Sequence, residues 1–150
     1  MTVLTRFRRH ARTATRRLAT VTLGLAGALL VAATATPAQA ATTPAAQMKA
    51  YAEAASSTPD AARGKAFFNT KHGAEWSCSS CHTANPAHDG QHAVTAKRIA
   101  PMAPAANPQR FSDEAKTEKW FTRNCKDVVG RACTPAEKAD VIAYLASVQP

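Results

Sequence analysis

The chain has 150 residues, 45% of them hydrophobic, and a formal net charge of +9. This length suits one small domain. Six of the positive charges are arginines between Arg6 and Arg17, and the remainder carries 13 basic against 10 acidic side chains, a net charge of +3. This small excess excludes the broad basic footprint of a nucleic-acid-binding domain, so we expect no nucleic acid partner.

The first forty residues have the order of a secretory signal peptide. The arginine-rich stretch contains no acidic residue, an apolar segment spans Leu18 to Ala35, and Ala38-Gln39-Ala40 forms a small-x-small cleavage site. We expect cleavage near Ala40–Ala41 and a periplasmic mature chain that spans 41–150. Arg16-Arg17 leaves a twin-arginine signal open, and an uncleaved membrane anchor is the alternative to cleavage.

Two short segments precede the most informative motif of the chain. Residues 41–47 are rich in Ala, Thr and Pro and indicate a loose tether. A first helix is predicted from four residues at helical spacing, Met48, Tyr51, Ala52 and Ala55. Thr58-Pro59-Asp60 then has the order of a helix start, with proline at the first helical position, and predicts a second helix that runs to about Thr70.

Cys78-Ser79-Ser80-Cys81-His82 is the attachment signature of a c-type haem. Cysteines three positions apart lie on neighbouring points of a helical turn, so both sulfurs can form thioethers with the two vinyl groups of one haem. The adjacent His82 then supplies the proximal imidazole ligand to the iron. The sequence therefore predicts one covalently bound haem c.

Two other functions of these cysteines stay open at the sequence level. Cys78, Cys81, Cys125 and Cys133 could together form a structural zinc site, although the second pair is widely spaced for one. Cys78 and Cys81 could also form a thioredoxin-like redox pair, but that motif belongs in a strand-helix-strand unit, and no strand pattern is visible.

The segment after the motif predicts a long loop followed by two helices. Residues 83–110 contain four prolines and indicate a loop that wraps the haem, since loops of this length are usually functional or disordered. Asp113 to Arg123 is predicted to be helical. Thr134-Pro135-Ala136-Glu137 has the capping-box form and opens the last helix, which carries an apolar stripe at i, i+3, i+4 and i+7.

This arrangement resembles the class I cytochrome c fold, in which an N-terminal and a C-terminal helix cross and the haem motif follows the first. The resemblance implies an all-α domain over residues 57–150, with 41–56 as tether and short helix and 1–40 as signal peptide. Gly64 and Phe67 resemble the Gly/aromatic positions of the first helix. Tyr144-Leu145 resembles the pair in the last helix that packs against them.

The sixth ligand of the iron has several candidates. A plain electron carrier uses methionine, but Met102 follows His82 too closely for the usual loop around the haem and suits haem-edge packing better. Bis-histidine ligation would need one of three loop histidines, His72, His88 or His92. Asn124 lies farther along the chain, at a usual distal-ligand separation from His82, although it could instead be the C-cap of a helix.

Residues 119–134, KWFTRNCKDVVGRACT, resemble the sphaeroides haem protein family of high-spin class I cytochromes c. The resemblance implies that Asn124 binds ferric iron and that the next residue, Cys125, forms a disulfide with Cys133. The loop from Lys97 to Pro104 and the pair Asn107-Pro108 also look like the family. We expect the disulfide to act as a structural staple of the asparagine-bearing turn.

The chemistry of an amide ligand then predicts the function. An amide oxygen is a hard, weak donor that holds Fe(III) tolerably and Fe(II) poorly, so reduction would open a site for O2, NO or CO. We expect a monomeric carrier that couples one-electron transfer to diatomic-ligand binding. The resemblance implies a dihaem cytochrome c, fed by a membrane cytochrome b, as donor. A plain His82/Met102 shuttle, or a haem oxidase, peroxidase or NO-handling enzyme, is the alternative.

Overall fold

Five α-helices and one two-stranded sheet make up the part of the chain described by the computed structural model, residues 41–73 and 75–150. The predicted signal peptide lies outside the described residues. None of the described helices is long and apolar enough to cross a membrane. In chain order, the elements are α1 Pro44–Ala55, α2 Ala61–Asn69, α3 Cys78–His82, β1 Gly90–Gln91, β2 Arg98–Ile99, α4 Glu114–Val129 and α5 Pro135–Ser147.

The first two helices begin at different residues from those predicted. Proline at the first position and the Thr43 hydroxyl, which accepts from the amide of Ala46, start α1 within the stretch predicted to be a loose tether. α2 begins at Ala61 rather than beside Thr58, because the Asp60 carboxylate accepts from the amides of Ala62 and Arg63 and is the stronger cap.

For the last two helices, one predicted boundary is correct and one is wrong. The capping box of α5 is present as predicted, with Thr134 and Glu137 bonding to each other's backbone amides. α4, by contrast, does not end at Arg123 but continues to Val129 and stops at Gly130, whose φ of 75° is left-handed. This extension places Asn124 inside a helix.

The core lies where α1 and α2 both pack against α5. Its buried side chains are Phe68, Phe111, Val141, Ile142, Tyr144 and Leu145. Phe68, rather than the predicted Phe67, meets Tyr144 edge to face with ring centroids 5.6 Å apart, and Phe67 packs only at the edge of the core. The predicted crossing of an early helix with the last helix is therefore confirmed.

Gly64 sets how closely α2 approaches α5. A Cβ at this position would overlap the carbonyl group of Asp140 and lie 3.0 Å from the amide nitrogen of Val141. Beside it, the buried Asp140 carboxylate accepts from Arg63 Nε at 2.8 Å, from Arg63 Nη2 at 2.9 Å and from the Asp60 amide at 2.6 Å. The crossing is thus close-packed and clamped by a bidentate ion pair.

A second polar cluster ties α4 to α1 and to α5. Glu118 accepts from the Tyr51 hydroxyl of α1 and from the Lys138 ammonium of α5, each at 2.7 Å. Lys138 also lies 5.1 Å from the ring centroid of Tyr51 and 5.8 Å from that of Phe121. These contacts fix the first half of α4.

The long loop after the haem motif contains a structure that the sequence did not predict. Its two short strands pair antiparallel, Gly90 with Ile99 and Gln91 with Arg98. Further along, the carbonyl of Pro86 accepts from the amides of Met102 and Ala103 at 2.8 and 2.9 Å. The loop therefore folds back onto the residues that directly follow His82.

Candidate haem site

The haem motif forms its own short helix, α3. Ser77 caps it: its hydroxyl accepts from the Ser80 amide, and the Ser80 hydroxyl accepts in turn from the Ser77 amide. This reciprocal box satisfies two amides that so short a helix would otherwise leave unpaired. It also holds Cys78 and Cys81 one turn apart, as thioether formation on one haem requires.

The oxidation states of the four cysteines bear on the two alternatives to a haem motif, a zinc site and a thioredoxin-like redox pair. Cys125 and Cys133 form a disulfide with a Cα–Cα distance of 5.6 Å, whereas Cys78 and Cys81 are free. The disulfide uses two of the four ligands that a zinc site made of all the cysteines would need. The only strands among the described residues are the two-residue pair, so the Cys78–Cys81 segment has no strand-helix-strand surroundings there.

His82 has the properties of a metal ligand. Its Nδ1 is buried and has no hydrogen-bond partner among the described residues. Burial, with a smaller contribution from the charge of Arg110, lowers the pKa of His82 to about 4. The imidazole is therefore neutral at physiological pH and keeps a lone pair for coordination. Two free thiols that can form thioethers and one neutral imidazole that can ligate iron fit a c-type haem.

The hairpin β1–β2 packs against the motif. A Cβ at Gly90 would overlap the Cys81 carbonyl oxygen and lie 3.0 Å from the Cα of His82, so only glycine fits there. The amide of Ala93 points at the Cys81 sulfur from 3.4 Å. The loop that was predicted to wrap the haem thus begins by covering the attachment helix.

Met102 and the three histidines other than His82 that were considered as ligands lie in different surroundings. Met102 is half-buried against the hydrophobic core. The imidazole Nε2 of His72 lies 2.9 Å from the carbonyl oxygen of Phe67, and His92 Nδ1 accepts from two amides of its own turn. His88 is exposed. No group of three or more His, Cys, Asp or Glu side chains in the described segments is arranged to hold a metal ion.

Asn124 lies on α4 rather than on a turn, and it is not the C-cap, a position that belongs to Gly130. Its side chain is half-buried and makes no hydrogen bond to any described residue. The neighbouring Cys125 is buried and bonded to Cys133, which lies just before α5. The disulfide therefore fixes the end of a helix, not the asparagine-bearing turn that we expected.

Sequence reasoning missed two groups at this site. The Ser77–Ser80 box was overlooked because serine replaces the usual Glu or Gln at its fourth position. Arg110 was also overlooked, although it is an isolated basic residue in a Pro/Ala-rich stretch. Its positive charge contributes to the lowered pKa of His82, and the sequence alone gives no sign of this interaction.

The chain is similar in sequence to known proteins. Residues 54–145 match the family described as "Domain of unknown function (DUF1924)". The chain is 49% identical over 124 residues to the cytochrome c-type protein SHP of Cereibacter sphaeroides, covering 79% of this chain and 95% of SHP. It is 50% identical over 91 residues to cytochrome c'' of Methylophilus methylotrophus, covering 58% of this chain and 63% of that protein.

Solved structures of the same two relatives also superpose on this chain. Oxidised SHP, described as an oxygen-binding cytochrome c, superposes with a TM-score of 0.68 at 47% identity, covering 71% of this chain and 98% of that one. The solution structure of Methylophilus methylotrophus cytochrome c'', described as giving insights into haem-ligand detachment, gives 0.64 at 40% identity, covering 71% and 94%. The resemblance to sphaeroides haem proteins and the class I fold are thus confirmed. The chain belongs to the DUF1924 family and is a monohaem c-type cytochrome, homologous to SHP and cytochrome c''.

Proposed function

We propose that this cytochrome takes up one electron and, on reduction, opens a coordination position to O2, NO or CO. The observation that carries the proposal is the half-buried Asn124 amide, which has no hydrogen-bond partner among the described residues and sits beside a disulfide. An amide that bonds to no described residue is available to a partner from outside the chain. The iron of a haem attached through Cys78 and Cys81 and ligated by His82 would be that partner.

The choice of an amide determines when the position opens. The haem supplies a one-electron couple between Fe(III) and Fe(II). Asn124 would bind the harder ferric ion through its carbonyl oxygen and release the softer ferrous ion. A thioether such as that of Met102 prefers the ferrous ion and would keep the position closed. The oxygen binding described for SHP and the haem-ligand detachment described for cytochrome c'' support this assignment.

The backbone around Met102 argues against the rival shuttle. The amide of Met102 is bonded to Pro86, which closely follows His82, and Pro101 O accepts from Arg110 Nε at 2.8 Å and from Asn107 Nδ2 at 3.2 Å. Met102 is therefore tied by its amide to the segment that follows the proximal ligand, and the residue before it is tied to Asn107 and Arg110. A distal Met102 would have to be carried by a segment bonded in this way, whereas Asn124 lies on a separate helix.

The remaining histidines also have other roles. His92 caps the amides of Val94 and Thr95, and His72 contacts Phe67 both through the backbone carbonyl and by ring packing at 4.3 Å. Bis-histidine ligation would sacrifice one of these arrangements or recruit the exposed His88. Ligation by Asn124 would break no side-chain hydrogen bond to a described residue.

The disulfide stabilises the helix that carries Asn124. It closes a short loop, with a sequence separation of 8 between its cysteines. Closing so short a loop stabilises by roughly 2.5 kcal/mol in the chain-entropy treatment. Since Cys125 directly follows Asn124, the bond fixes the backbone from which the amide projects. We assign it this mechanical role rather than a redox role.

The physiological setting of the proposal is the periplasm. The signal-peptide pattern implies export, and export is compatible with the disulfide. We propose that the electron donor is a dihaem cytochrome c supplied by a membrane cytochrome b, and that the protein works as a monomer. A carrier role is favoured over an enzymatic one because no acid–base residue of the described chain can be assigned to the distal side.

Visible absorption spectra of the ferric and ferrous proteins test the distal ligand. The ferrous wild type should be five-coordinate and high-spin and should bind carbon monoxide rapidly. Asn124→Ala should change the ferric spectrum and leave the ferrous one nearly unaltered, because the amide has already left on reduction. Met102→Ala should change neither by much.

Asn69→Ala is the matched control, since that exposed asparagine bonds only to the carbonyl of Lys65 on α2. It should reproduce the wild-type spectra. A low-spin ferrous wild type with a sulfur-to-iron charge-transfer band in the ferric form, both lost in Met102→Ala, would contradict the proposal and make this protein an ordinary shuttle.

A further inference from the structure

Arg110 differs from every other arginine that the structure describes. Between positions 41 and 150 there are five arginines, and four of them pair with carboxylates: Arg63 with Asp60 and Asp140, Arg98 with Asp89, Arg123 with Asp127, and Arg131 with Glu137. Arg110 has no carboxylate within ion-pair distance among the described residues. It is also the one of the five that is half-buried, whereas the others are exposed.

The bonds that Arg110 does make leave its charge uncompensated. Nε donates to the carbonyl of Pro101 at 2.8 Å, and Nη2 donates to the carbonyl of Ala100 at 2.6 Å. Both acceptors are neutral. A guanidinium has five N–H donors, and Nη1 makes no bond to the described part of the chain. Burial lowers the pKa of Arg110, as expected for a cation that lacks a counter-ion.

A cation withdrawn from water without an anion is costly, so such sites usually bind one. The location of Arg110 indicates which anion. Arg110 bonds to Ala100 and Pro101, and the next residue, Met102, bonds to Pro86 shortly after His82. Phe111 packs in the same core as Cys78, so Arg110 lies on the haem-binding side of the protein. A haem attached at Cys78 and Cys81 brings two propionate carboxylates to that side, and a guanidinium pairs with a carboxylate through parallel hydrogen bonds.

We propose that Arg110 binds a propionate carboxylate of the haem through its free guanidinium edge. The same side chain would thus join the haem to the Ala100–Pro101 backbone and hold the Met102 segment in place. Its role is to position the haem and to set the field at the iron. This inference rests on haem attachment and not on the identity of the distal ligand, so it can fail while the proposed function stands, and the reverse.

A loop clamp alone would not account for the residue type. Asn107 already donates to the carbonyl of Pro101 without bringing a charge into the loop. A neutral amide at position 110 could do the same for one carbonyl. Lysine would supply a charge but not a planar fork that bonds to two carbonyls on one edge and leaves another edge free.

The midpoint potential of the purified holoprotein tests the role of the charge. Arg110→Gln keeps a donor for the backbone carbonyls but removes the charge and leaves the propionate unpaired. Both effects favour Fe(III), so the equilibrium should shift at least tenfold toward the oxidised protein, a fall of about 59 mV or more for a one-electron couple. Arg98→Gln, the same substitution at an arginine already paired with Asp89, should shift it less than threefold.

A crystal structure of the wild-type holoprotein keeps the test decisive even where Arg110→Gln does not accumulate. A propionate oxygen about 2.7–2.9 Å from the guanidinium supports the proposal. A guanidinium that faces only solvent or a foreign anion, or an Arg110→Gln potential that moves no more than that of Arg98→Gln, overturns it. Neither outcome depends on whether carbon monoxide binds the ferrous protein.

Discussion

Single atoms decide how this fold is assembled. At Gly64 the absence of a Cβ lets α2 rest on the backbone of α5, and at Gly90 it lets the hairpin rest on the haem motif. Neither glycine has a left-handed φ, so both are required for close approach rather than for backbone freedom. The hydrophobic core beside Gly64 depends on that approach, because Phe68 and Tyr144 meet across the same crossing.

Gly64→Ala should therefore be severely destabilising although alanine favours helices. The new methyl would overlap the backbone of Asp140, which cannot move aside as a flexible side chain could. We expect a loss of at least about 3 kcal/mol in the free energy of unfolding, at the upper end for overpacked sites. Urea unfolding of the holoprotein measures it.

Ala62→Gly, at an exposed position of the same helix, provides the comparison and should cost only about 1 kcal/mol from helix propensity. Equal losses in the two variants would show that α2 does not pack as closely on α5 as the structure indicates.

Residue by residue, the sequence predicted what is local in the chain. Cys78, Cys81 and His82 could be assigned because their spacing is itself the chemical requirement, and the Cys125–Cys133 disulfide followed from a family resemblance. Arg110 could not be assigned, since an arginine in a loop signals nothing until its missing partner and its proximity to His82 are seen.

Among the elements, α4 shows how tertiary contacts override local preference. Residues 124–129, NCKDVV, have modest helix propensity, so periodicity fades after Arg123 and the sequence suggested an end there. The helix continues because the disulfide to Cys133 holds Cys125 and no glycine interrupts the chain before Gly130. α2 begins late for a similar reason, since the Asp60 amide is engaged by the distant Asp140.

The Glu118 cluster gives α4 a measurable pH dependence. Burial raises the pKa of Glu118, but hydrogen bonds from Lys138 and Tyr51 outweigh it and leave the pKa below its usual 4.5. Below that pH the unfolded chain binds a proton that the folded chain still excludes. The stabilisation is therefore complete above pH 4.5 and is lost as the pH falls through the folded-state pKa.

Glu118→Gln should lower the free energy of unfolding by about 1 kcal/mol at pH 7, since the pair is partly exposed to solvent. It should also flatten the decline below pH 4.5. Thermal unfolding between pH 3 and pH 7 measures both, at roughly the range over which carboxylates titrate. Glu53→Gln removes an exposed pair with Lys49 and should change little. A steeper decline in Glu118→Gln than in the wild type would contradict the assignment.

For the molecule as a whole, the order of helices and the haem motif predicted the fold, because a covalent cofactor fixes which segments must surround it. The path of the loop over residues 83–113 was not predictable. Its hairpin, the double hydrogen bond to Pro86 and the Arg110 clamp all join residues far apart in sequence and carry no periodic pattern.

The export prediction concerns the whole chain and has a mass as its readout. Periplasmic protein should begin at Ala41, carry one haem and lack two hydrogens for the Cys125–Cys133 bond. Haem staining after denaturing electrophoresis should persist, because thioethers survive denaturation. A mass that retains residues 18–35 would indicate a membrane anchor instead, and a colourless protein that contains zinc would contradict the haem assignment.

The setting of Cys78 also has a consequence for the order of biogenesis. Its side chain packs against the core, and burial raises the pKa of its thiol to about 11. In the folded chain the sulfur is thus protonated, shielded and a poor partner for a vinyl group. We therefore expect haem attachment to precede the completion of folding around Cys78. We accordingly expect export of the unfolded chain, before the cofactor is attached.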